Sequence, residues 1–417
     1  MRMPPDLDGH GGSQRAWHLV EALRPHGRLH FVLIFRDQDR DCMTTSLGPL
    51  EPMVESVTRI NIAGWRPTEG KQLRLFNPDI WNLYRMRSQD APRLSRAELR
   101  LVASQLPIRN PDIIFAGRLC SAVILQDLIN GSLLSTFVRV VDYDDIMSKF
   151  RLRQARMMGP IWGRQFKLLA QVDSRVIAVA ERRIARTWHG VSVCTDEDAA
   201  TLRAANPDTA VVKIPSIVTR KFLPPRATDG YFRVLFVGNL SFSPNSDGLR
   251  IFVEQAWPAL LRVVPEARLT IVGMRPSWEI VEMAQQHGFA LHADVPSLLP
   301  YYEKCDVVIA PILFGSGTRV KILEALAYGR AVVSTSLGAE GMGLEQGRHI
   351  LIADTMAEFA AALATFAHDP GMREAIVSQA RAFQQAHYTS TAINAALAKL
   401  LSLGHTKADL QPKSGAA

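Results

Sequence analysis

A glycine loop followed by two cations and a carboxylate is the stretch of this sequence best suited to chemistry. Gly317 and Thr318 belong to a loop whose residue types permit positive φ and let a bound anion approach the backbone closely. Arg319 and Lys321 follow in the first turn of a predicted helix, where backbone N–H groups and the helix dipole already favour an anion. A diphosphate suits this arrangement. Glu324, one turn later, can accept hydrogen bonds from ribose hydroxyls of the same ligand.

Two predicted strands and a helix must hold these groups in place. Residues 306–312 form a short apolar run rich in Val and Ile, which is typical of a strand buried in a parallel sheet. Apolar residues recur at spacings of three and four after Thr318 and predict a helix that ends at Gly329, and residues 331–336 predict the next strand. An ordinary βαβ unit with solvated charges has the same pattern. Neither the P-loop spacing nor GxGxxG is present, so the spacing alone indicates an anion site and no more.

Three longer segments add a family resemblance. They are VGNLSFSPN at 237–245, FGSGTRVKILEALAYGRAVVSTSLGAEG at 314–341 and GRHILIAD at 347–354. Through them, residues 231–390 resemble the donor-binding half of a family 4 (group 1) glycosyltransferase, in the branch that carries GxGTRxKxxEA. The resemblance implies an α/β protein of the GT-B fold, with two Rossmann-like domains facing across a cleft. It also implies that the loop and helix after residue 314 hold the diphosphate of a nucleotide sugar, with Glu324 on the ribose.

The same resemblance assigns further binding residues. Gly238 and Asn239 match the end of the first strand of the donor-binding domain, and Val295 matches the position whose backbone commonly meets the nucleotide base. Gly11 and Gly12 match the N-terminal glycine loop that faces the cleft, although a flexible terminus explains these two glycines equally well.

The chain departs from the family pattern in two places. Ser316 stands where the family often has the first of two glutamates, and Asn239 and the segment 243–245 stand where an arginine and a lysine are common. Arg319 and Lys321 are therefore the residues that we expect to supply positive charge to the leaving diphosphate, which makes them the candidate catalytic residues.

The length of 417 residues predicts two domains, since one hydrophobic core rarely serves so long a chain. The N-terminal domain begins inside its first loop, so either the start codon is assigned too late or the sheet lacks a central strand. The second domain is more regular and predicts a doubly wound sheet with strands at 233–237, 268–272, 290–292, 307–310, 332–335 and 349–352. The predicted segments are an acceptor-side domain at 1–223, a linker at 224–230, the donor-binding domain at 231–387, a helix crossing back at 388–403, and a disordered tail at 404–417.

The positive charge of the chain is concentrated in one segment. The net charge is +8, and residues 146–190 contain ten Lys or Arg against Asp173 and Glu181. The segment is predicted to be largely helical. Its basic residues beside Met157, Met158, Ile161 and Trp162 suit a membrane surface or a lipid-linked acceptor, whereas a solvated helix with intramolecular partners is the alternative.

Compartment and cofactor follow from what the sequence lacks. The four cysteines are far apart and show no metal-ligand spacing, so reduced thiols in the cytoplasm are expected, with neither a metal nor an organic cofactor. No apolar run is long enough to span a membrane, so any membrane contact would be peripheral, at the inner face.

The predicted function is transfer of a sugar from a nucleotide-diphosphate sugar to an acceptor hydroxyl, with a saccharide or a lipid-linked molecule as acceptor. By resemblance the reaction is retaining, hexosyltransferase-like and metal-independent, and belongs to polysaccharide or glycolipid assembly. The acidic run at Asp142, Asp144 and Asp145 ends a predicted strand, and helix capping or pairing with nearby arginines accounts for it without catalysis. The unranked candidates for a base are His10, His18, Asp142 and Arg118.

Three other functions stay open. One is a sugar-nucleotide epimerase of the same fold, and another is an inactive homologue that binds a nucleotide sugar without turnover. A nucleic-acid binder would depend on the basic 146–190 segment, but no aromatic interleaving or known module supports it, so nucleic acid is not an expected partner.

Overall fold

The computed structural model describes residues 5–6, 11–35, 47–62, 90–157 and 163–410, with the backbone alone described at 163–166 and 410. The described chain divides into two compact units. The first contains the residues up to Pro215 and those from Ser390 onward, and the second is Ser216–Thr389. Four residues singled out above, His10, Met158, Ile161 and Trp162, lie outside the described residues.

The first unit consists of parallel strands and of helices that connect them. Its described strands make two sheets, one of β1 and β2 and one in the order β3-β4-β5-β6. β1 is buried on both faces, because Ile34 packs in the larger core of the unit and Leu33 packs in a second apolar cluster with Trp17. The strands are β1 His30–Phe35, β2 Ser56–Asn61, β3 Ile113–Gly117, β4 Val138–Tyr143, β5 Gly190–Val193 and β6 Ala210–Lys213. The helices are α1 Gly11–Leu23, α2 Arg96–Gln105, α3 Leu119–Asn130, α4 Met147–Met157, α5 Gly163–Thr187 and α6 Asp196–Ala205.

A buried carboxylate joins α4 to α5 in the first unit. The Ser148 backbone N–H, at the start of α4, donates to Glu181 Oε1 at 3.1 Å, and the Ser148 hydroxyl donates to Oε2 of the same carboxylate. The Tyr143 hydroxyl donates to the Glu181 carbonyl at 3.0 Å. Burial raises the pKa of Glu181 to about 7, and the hydrogen bonds from Ser148 offset only part of this shift.

The raised pKa of Glu181 predicts a pH dependence of stability. The native state binds more protons than the unfolded state between pH 4.5, the ordinary value, and about 7. The contribution of Glu181 to the free energy of unfolding should therefore be fully present below this window, and about 2–4 kcal/mol of it should be lost as the pH rises through it. Urea unfolding at a series of pH values should show this fall in the native protein and not in Glu181→Gln. The exposed Glu197→Gln on α6 is the control, and an identical pH profile in Glu181→Gln and the native protein would contradict the prediction.

A single doubly wound sheet of six parallel strands forms the core of the second unit, in the order β12-β11-β10-β7-β8-β9. Each predicted strand of this unit is present, with ends within two residues of the prediction. The strands are β7 Phe232–Asn239, β8 Ala267–Met274, β9 Ala290–Ala293, β10 Val307–Ala310, β11 Ala331–Ser334 and β12 Leu351–Ile352. The helices are α7 Ser243–Ile251, α8 Trp257–Leu261, α9 Trp278–His287, α10 Leu299–Glu303, α11 Val320–Tyr328, α12 Met356–His368 and α13 Pro370–His387. A π-helical turn at Phe252–Ala256 joins α7 to α8 just before Pro258, whose missing N–H cannot continue the α-helical ladder.

The predicted linker at 224–230 packs on the second unit, and the unit begins before it. Leu223 N donates to the Tyr328 carbonyl at 3.0 Å, and Arg330 Nη1 donates to the Pro224 carbonyl at 2.9 Å. Arg226 pairs with the buried Asp306 at 2.9 Å. These contacts explain why the structure divides the chain after Pro215 and not at the predicted prolines.

The last helix, α14 Ser390–Leu410, belongs to the first unit. The prediction of a disordered tail from residue 404 is wrong for 404–410, which are helical. Ala408 is buried there, and Lys407 Nζ donates to the Trp188 carbonyl at 3.3 Å, so the last two turns have partners in the same unit. Residues 411–417 lie outside the described part of the chain.

Candidate active site

The two segments singled out in the donor-binding half meet at one edge of the six-stranded sheet. β7 and β10 are neighbours, and the strand order runs in opposite directions on either side of them. In open α/β sheets, ligands bind at such a reversal, outside the carboxyl ends of the strands. Gly238 and Asn239 end β7, and the loop that contains Gly317 and Thr318 follows β10. The topology therefore brings both predicted segments to a ligand-binding position.

Lys321, on the helix that follows β10, contacts residues of β7 and α7 on the other side of this reversal. Its Nζ donates to Asn245 Oδ1 at 2.8 Å and lies 4.6 Å from the centroid of the Phe236 ring, so the ammonium group of α11 is held against β7 and α7. A Cβ on Gly238 would lie 2.9 Å from the same Nζ, so the glycine makes room for the lysine. Gly273 on β8 lies close to the end of β7, because a Cβ on Gly273 would be only 1.9 Å from the Gly238 carbonyl oxygen.

The surroundings of Lys321 weaken its hold on a proton. Burial and, to a smaller extent, the nearby charge of Arg319 together lower the pKa of Lys321 to about 7. The ammonium group donates to the neutral amide oxygen of Asn245. An anion placed beside Lys321 would restore the charged form, since an opposite charge favours ionisation.

The glycine loop and Arg319 are folded on each other. Gly315 and Gly317 have φ values of 139° and 71°, which L residues rarely adopt. Arg319 Nη1 donates to the Ser316 carbonyl, and a Cβ on Gly315 would lie 2.5 Å from Arg319 Nη2. Arg319 is the N-cap residue of α11, beside the half-buried Thr318. To bind the Arg319 guanidinium, a diphosphate at the start of α11 would have to displace the Ser316 carbonyl and accept its hydrogen bond instead.

Glu324 is buried, and Arg220 and Tyr302 of the second unit bind its carboxylate. Arg220 donates through Nε at 3.2 Å and through Nη2 at 3.0 Å to Glu324 Oε1, and the Tyr302 hydroxyl donates to Oε2 at 3.3 Å. Sequence reasoning assigned Glu324 to a ribose but missed both partners. Arg220 lies in the segment PSIVTRKFLPP, 104 residues before Glu324, and no spacing in the sequence signalled this pairing.

Val295 lies on the same edge of the sheet, two strands away from Asn239. It follows β9, and the residue before it, Asp294, has a φ of 50°. Asp294 N donates to the Gly273 carbonyl at 3.0 Å, and the Asp294 carboxylate accepts from Arg275 N at 3.1 Å. The loop is thus tied to the end of β8, beside Gly238. Val295 itself is half-buried.

Gly12, one of the two glycines predicted in the first unit, borders a polar cluster of that unit. Gly11 and Gly12 are the first residues of α1, not a glycine loop. Gly12 lines a small pocket together with Arg15, Ala16, Leu19, Gly117, Arg118, Asp142 and Asp144.

Arginines pair with the acidic run in this pocket. The Arg15 guanidinium binds both oxygens of the buried Asp142, at 2.9 and 2.6 Å, and the Ser192 hydroxyl also donates to Asp142 at 2.6 Å. Arg118 pairs with Asp144 at 2.9 Å. Pairing with nearby arginines, which the sequence analysis gave as an explanation of the acidic run without catalysis, is thus observed for Asp142 and Asp144. Of the other base candidates, His18 is buried with Nδ1 3.1 Å from Glu21.

The described residues contain no group of three or more His, Cys, Asp or Glu side chains that could hold a metal ion. Cys120, Cys194 and Cys305 are buried and lie in no disulfide, and Cys42 is outside the described residues. Of the helices described, none combines the length and apolar character that crossing a membrane requires.

A family model and a curated relative match part of this chain. Residues 231–369 match the model of a family described as glycosyl transferases group 1. An uncharacterized 44.6 kDa protein in the cps region of Klebsiella pneumoniae is 31% identical over 175 residues, which are 40% of this chain and 45% of that protein. The match thus spans less than half the length of this curated relative.

Solved structures resemble a larger share of the chain. Sucrose-phosphate synthase from Thermosynechococcus elongatus has a TM-score of 0.62 at 16% identity, covering 94% of this chain and 92% of that one. Anabaena Alr3699/HepE in complex with UDP-glucose has a TM-score of 0.58 at 16% identity, covering 96% and 97%. The chain therefore has the α/β GT-B fold, and over residues 231–369 it matches the group 1 glycosyltransferase family.

Proposed function

We propose that this protein is a glycosyltransferase that moves a sugar from a nucleotide-diphosphate sugar to an acceptor hydroxyl. The observation that carries the proposal is the meeting of Lys321, Arg319 and the glycine loop with Gly238 at the strand-order reversal, with Glu324 one helical turn further on. This spacing suits a nucleoside diphosphate, with the phosphates at the start of α11 and the ribose near Glu324.

The chemistry follows from where the charge develops. As the bond between the sugar C1 and the diphosphate oxygen breaks, its electron pair stays on the diphosphate and the sugar becomes oxocarbenium-like. Arg319, Lys321 and the N-terminus of α11 stabilise that growing negative charge, which lowers the barrier. Protein cations in these positions are what a metal-independent transferase requires. We infer a retaining, hexosyltransferase-like reaction from the resemblance to the GxGTRxKxxEA branch.

The comparisons support the choice of substrates. The structure of Alr3699/HepE with UDP-glucose supports a UDP-sugar as donor, and the cps-region relative supports polysaccharide assembly, with glycolipid assembly as the related possibility. The acceptor is then a saccharide or a lipid-linked saccharide. The thiols of Cys120, Cys194 and Cys305 support a cytoplasmic setting, at the inner face of the membrane when the acceptor is lipid-linked.

Thermal unfolding with UDP-, GDP- and ADP-sugars tests the proposal. At least one donor should raise the melting temperature, as any ligand that binds the native state alone must. The shift should shrink in Glu324→Gln and persist in Glu345→Gln, an exposed glutamate of the same unit. The absence of a shift with every donor would overturn the proposal.

Turnover then separates the alternatives. Donor consumption that requires an added saccharide acceptor supports transfer. Release of monosaccharide without an acceptor would indicate the epimerase. Binding without turnover across a panel of acceptors would indicate the inactive homologue.

A further inference from the structure

The long helix α5 exposes an apolar stripe on the side that faces away from the core. Leu168, Val172, Val176 and Val179 are exposed by 61%, 39%, 43% and 58%. Their spacing of four, four and three residues places them on one side of the helix. The opposite side already packs in the core of the first unit through Ile177, Ile184 and Ala185. Among the described residues of this unit, the exposed stripe is therefore a second apolar surface that the core does not bury.

Basic residues share this exposed side. We call the set the α5 face, and its members are Leu168, Val172, Arg175, Val176, Val179, Arg182, Arg183 and Arg186. From residue 168 to 183 the face covers about a third of the helix circumference over about 22 Å of length. Among the α5 side chains that the structure describes, the exposed ones are thus aliphatic or basic, and none is acidic.

The two carboxylates of α5 are directed elsewhere. Asp173 pairs with Arg151 of α4 at 3.2 Å, and Glu181 is buried against Ser148. Both acidic groups are thus used within the α4–α5 pair, whereas the arginines point outward. Arg183 lies 3.8 Å from Asp127 but is still 55% exposed.

We propose that the α5 face docks on the surface of an anionic phospholipid membrane. Aliphatic side chains insert at the boundary between headgroups and acyl chains, while neighbouring arginines contact lipid phosphates. A nucleic acid would use the arginines but leave the four aliphatic side chains in water, and no described α5 side chain on this face is aromatic and able to stack on a base. The proposal is independent of the proposed catalytic function, since it concerns a different unit and a different surface.

Vesicle co-sedimentation of the full chain tests this docking. The protein should bind vesicles that contain phosphatidylglycerol, bind phosphatidylcholine vesicles far less, and lose binding as salt is added. Arg175→Gln with Arg182→Gln should weaken binding by about 25-fold, since each basic residue near the surface contributes about fivefold. Leu168→Ser with Val179→Ser keeps the charge and should weaken binding by about tenfold.

A matched charge control lies in the second unit. Arg250→Gln with Arg348→Gln removes two exposed arginines from α7 and from the loop before β12, and should leave vesicle binding unchanged. All variants change exposed side chains, and an unchanged melting temperature verifies their folding. Equal binding to both vesicle types, or undiminished binding of the serine variant, would overturn the proposal. Binding of duplex DNA, and not of vesicles, through the same arginines would also overturn it and identify a nucleic-acid surface.

Discussion

Replacing Lys321 with methionine is expected to lower kcat/KM for the nucleotide sugar by a factor of about 10²–10³, the usual cost of losing one group that stabilises a developing oxyanion. Methionine keeps the length and apolar stem of the side chain, so the contact with Phe236 can persist while the charge is lost. The loss should appear in kcat as well as in KM, because the negative charge on the diphosphate grows in the transition state. Steady-state kinetics on the purified variant measure both.

The control for this experiment is Lys304→Met, an exposed lysine of the same unit that should leave the kinetics unchanged. Melting temperatures establish that both variants are folded. Near-native kcat/KM in Lys321→Met would show that the diphosphate lies elsewhere and would remove the main support for the proposed function.

The pH dependence of nucleotide binding provides a second measurement on the same lysine. The pKa of Lys321 is about 7 in the structure, so the group loses its proton as the pH rises through neutrality. A bound diphosphate favours the ammonium form and raises this pKa, so binding takes up a proton. Affinity should therefore be greatest below pH 7 and fall by up to about tenfold per pH unit above it, until the raised pKa is passed. Calorimetry in two buffers of different ionisation enthalpy should detect the proton uptake in the native protein and not in Lys321→Met.

The second large effect is expected at Glu324, on stability as well as on activity. Glu324→Ala removes the carboxylate that Arg220 and Tyr302 share and leaves a mostly buried guanidinium without it, since the Arg220 side chain is only 14% exposed. Removing one partner of a buried pair costs about 3–5 kcal/mol of the free energy of unfolding. Urea unfolding of Glu324→Ala should show a loss of this size.

A double-mutant cycle with Arg220→Ala separates the pair from its members. The double variant should lose less stability than the sum of the single variants, with a coupling of about 1–3 kcal/mol. Donor affinity should fall in Glu324→Ala and in the double variant, and less in Arg220→Ala, where the carboxylate remains. Additive stability losses would mean that the Arg220–Glu324 contact contributes little, and unchanged donor affinity in Glu324→Ala would exclude it from ribose binding.

Local spacing was sufficient to predict the strand, loop and helix around residues 306–329, because each depends on contacts between near neighbours in sequence. The apolar run of β10, the two glycines with positive φ and the three-and-four spacing of α11 are all visible in the chain. For the same reason the six strands of the second unit were predicted to within two residues. The prediction was wrong where packing against a distant segment determines the local structure. Residues 404–410 are an example, because they continue α14 and Lys407 there donates to the Trp188 carbonyl.

The partners of the site residues could not be predicted in this way. Asn245 binds a lysine 76 residues away, Arg220 binds a glutamate 104 residues away, and Tyr302 reaches that glutamate from 22 residues away. No periodicity links such positions. Likewise, the sequence of a helix with apolar residues on two sides does not reveal which side is buried. The exposed stripe of α5 was therefore not predicted.

By itself, the amino-acid sequence determined that a glycine loop, two cations and a carboxylate lie within ten residues at the start of a helix, because helical geometry and loop conformation are set by neighbouring residues. Only the tertiary structure decided that the strand order reverses beside them, that Lys321 is buried enough to shift its pKa, and that Glu324 is shared with Arg220. Those properties depend on which distant segments the sheet brings together and on how much water they exclude.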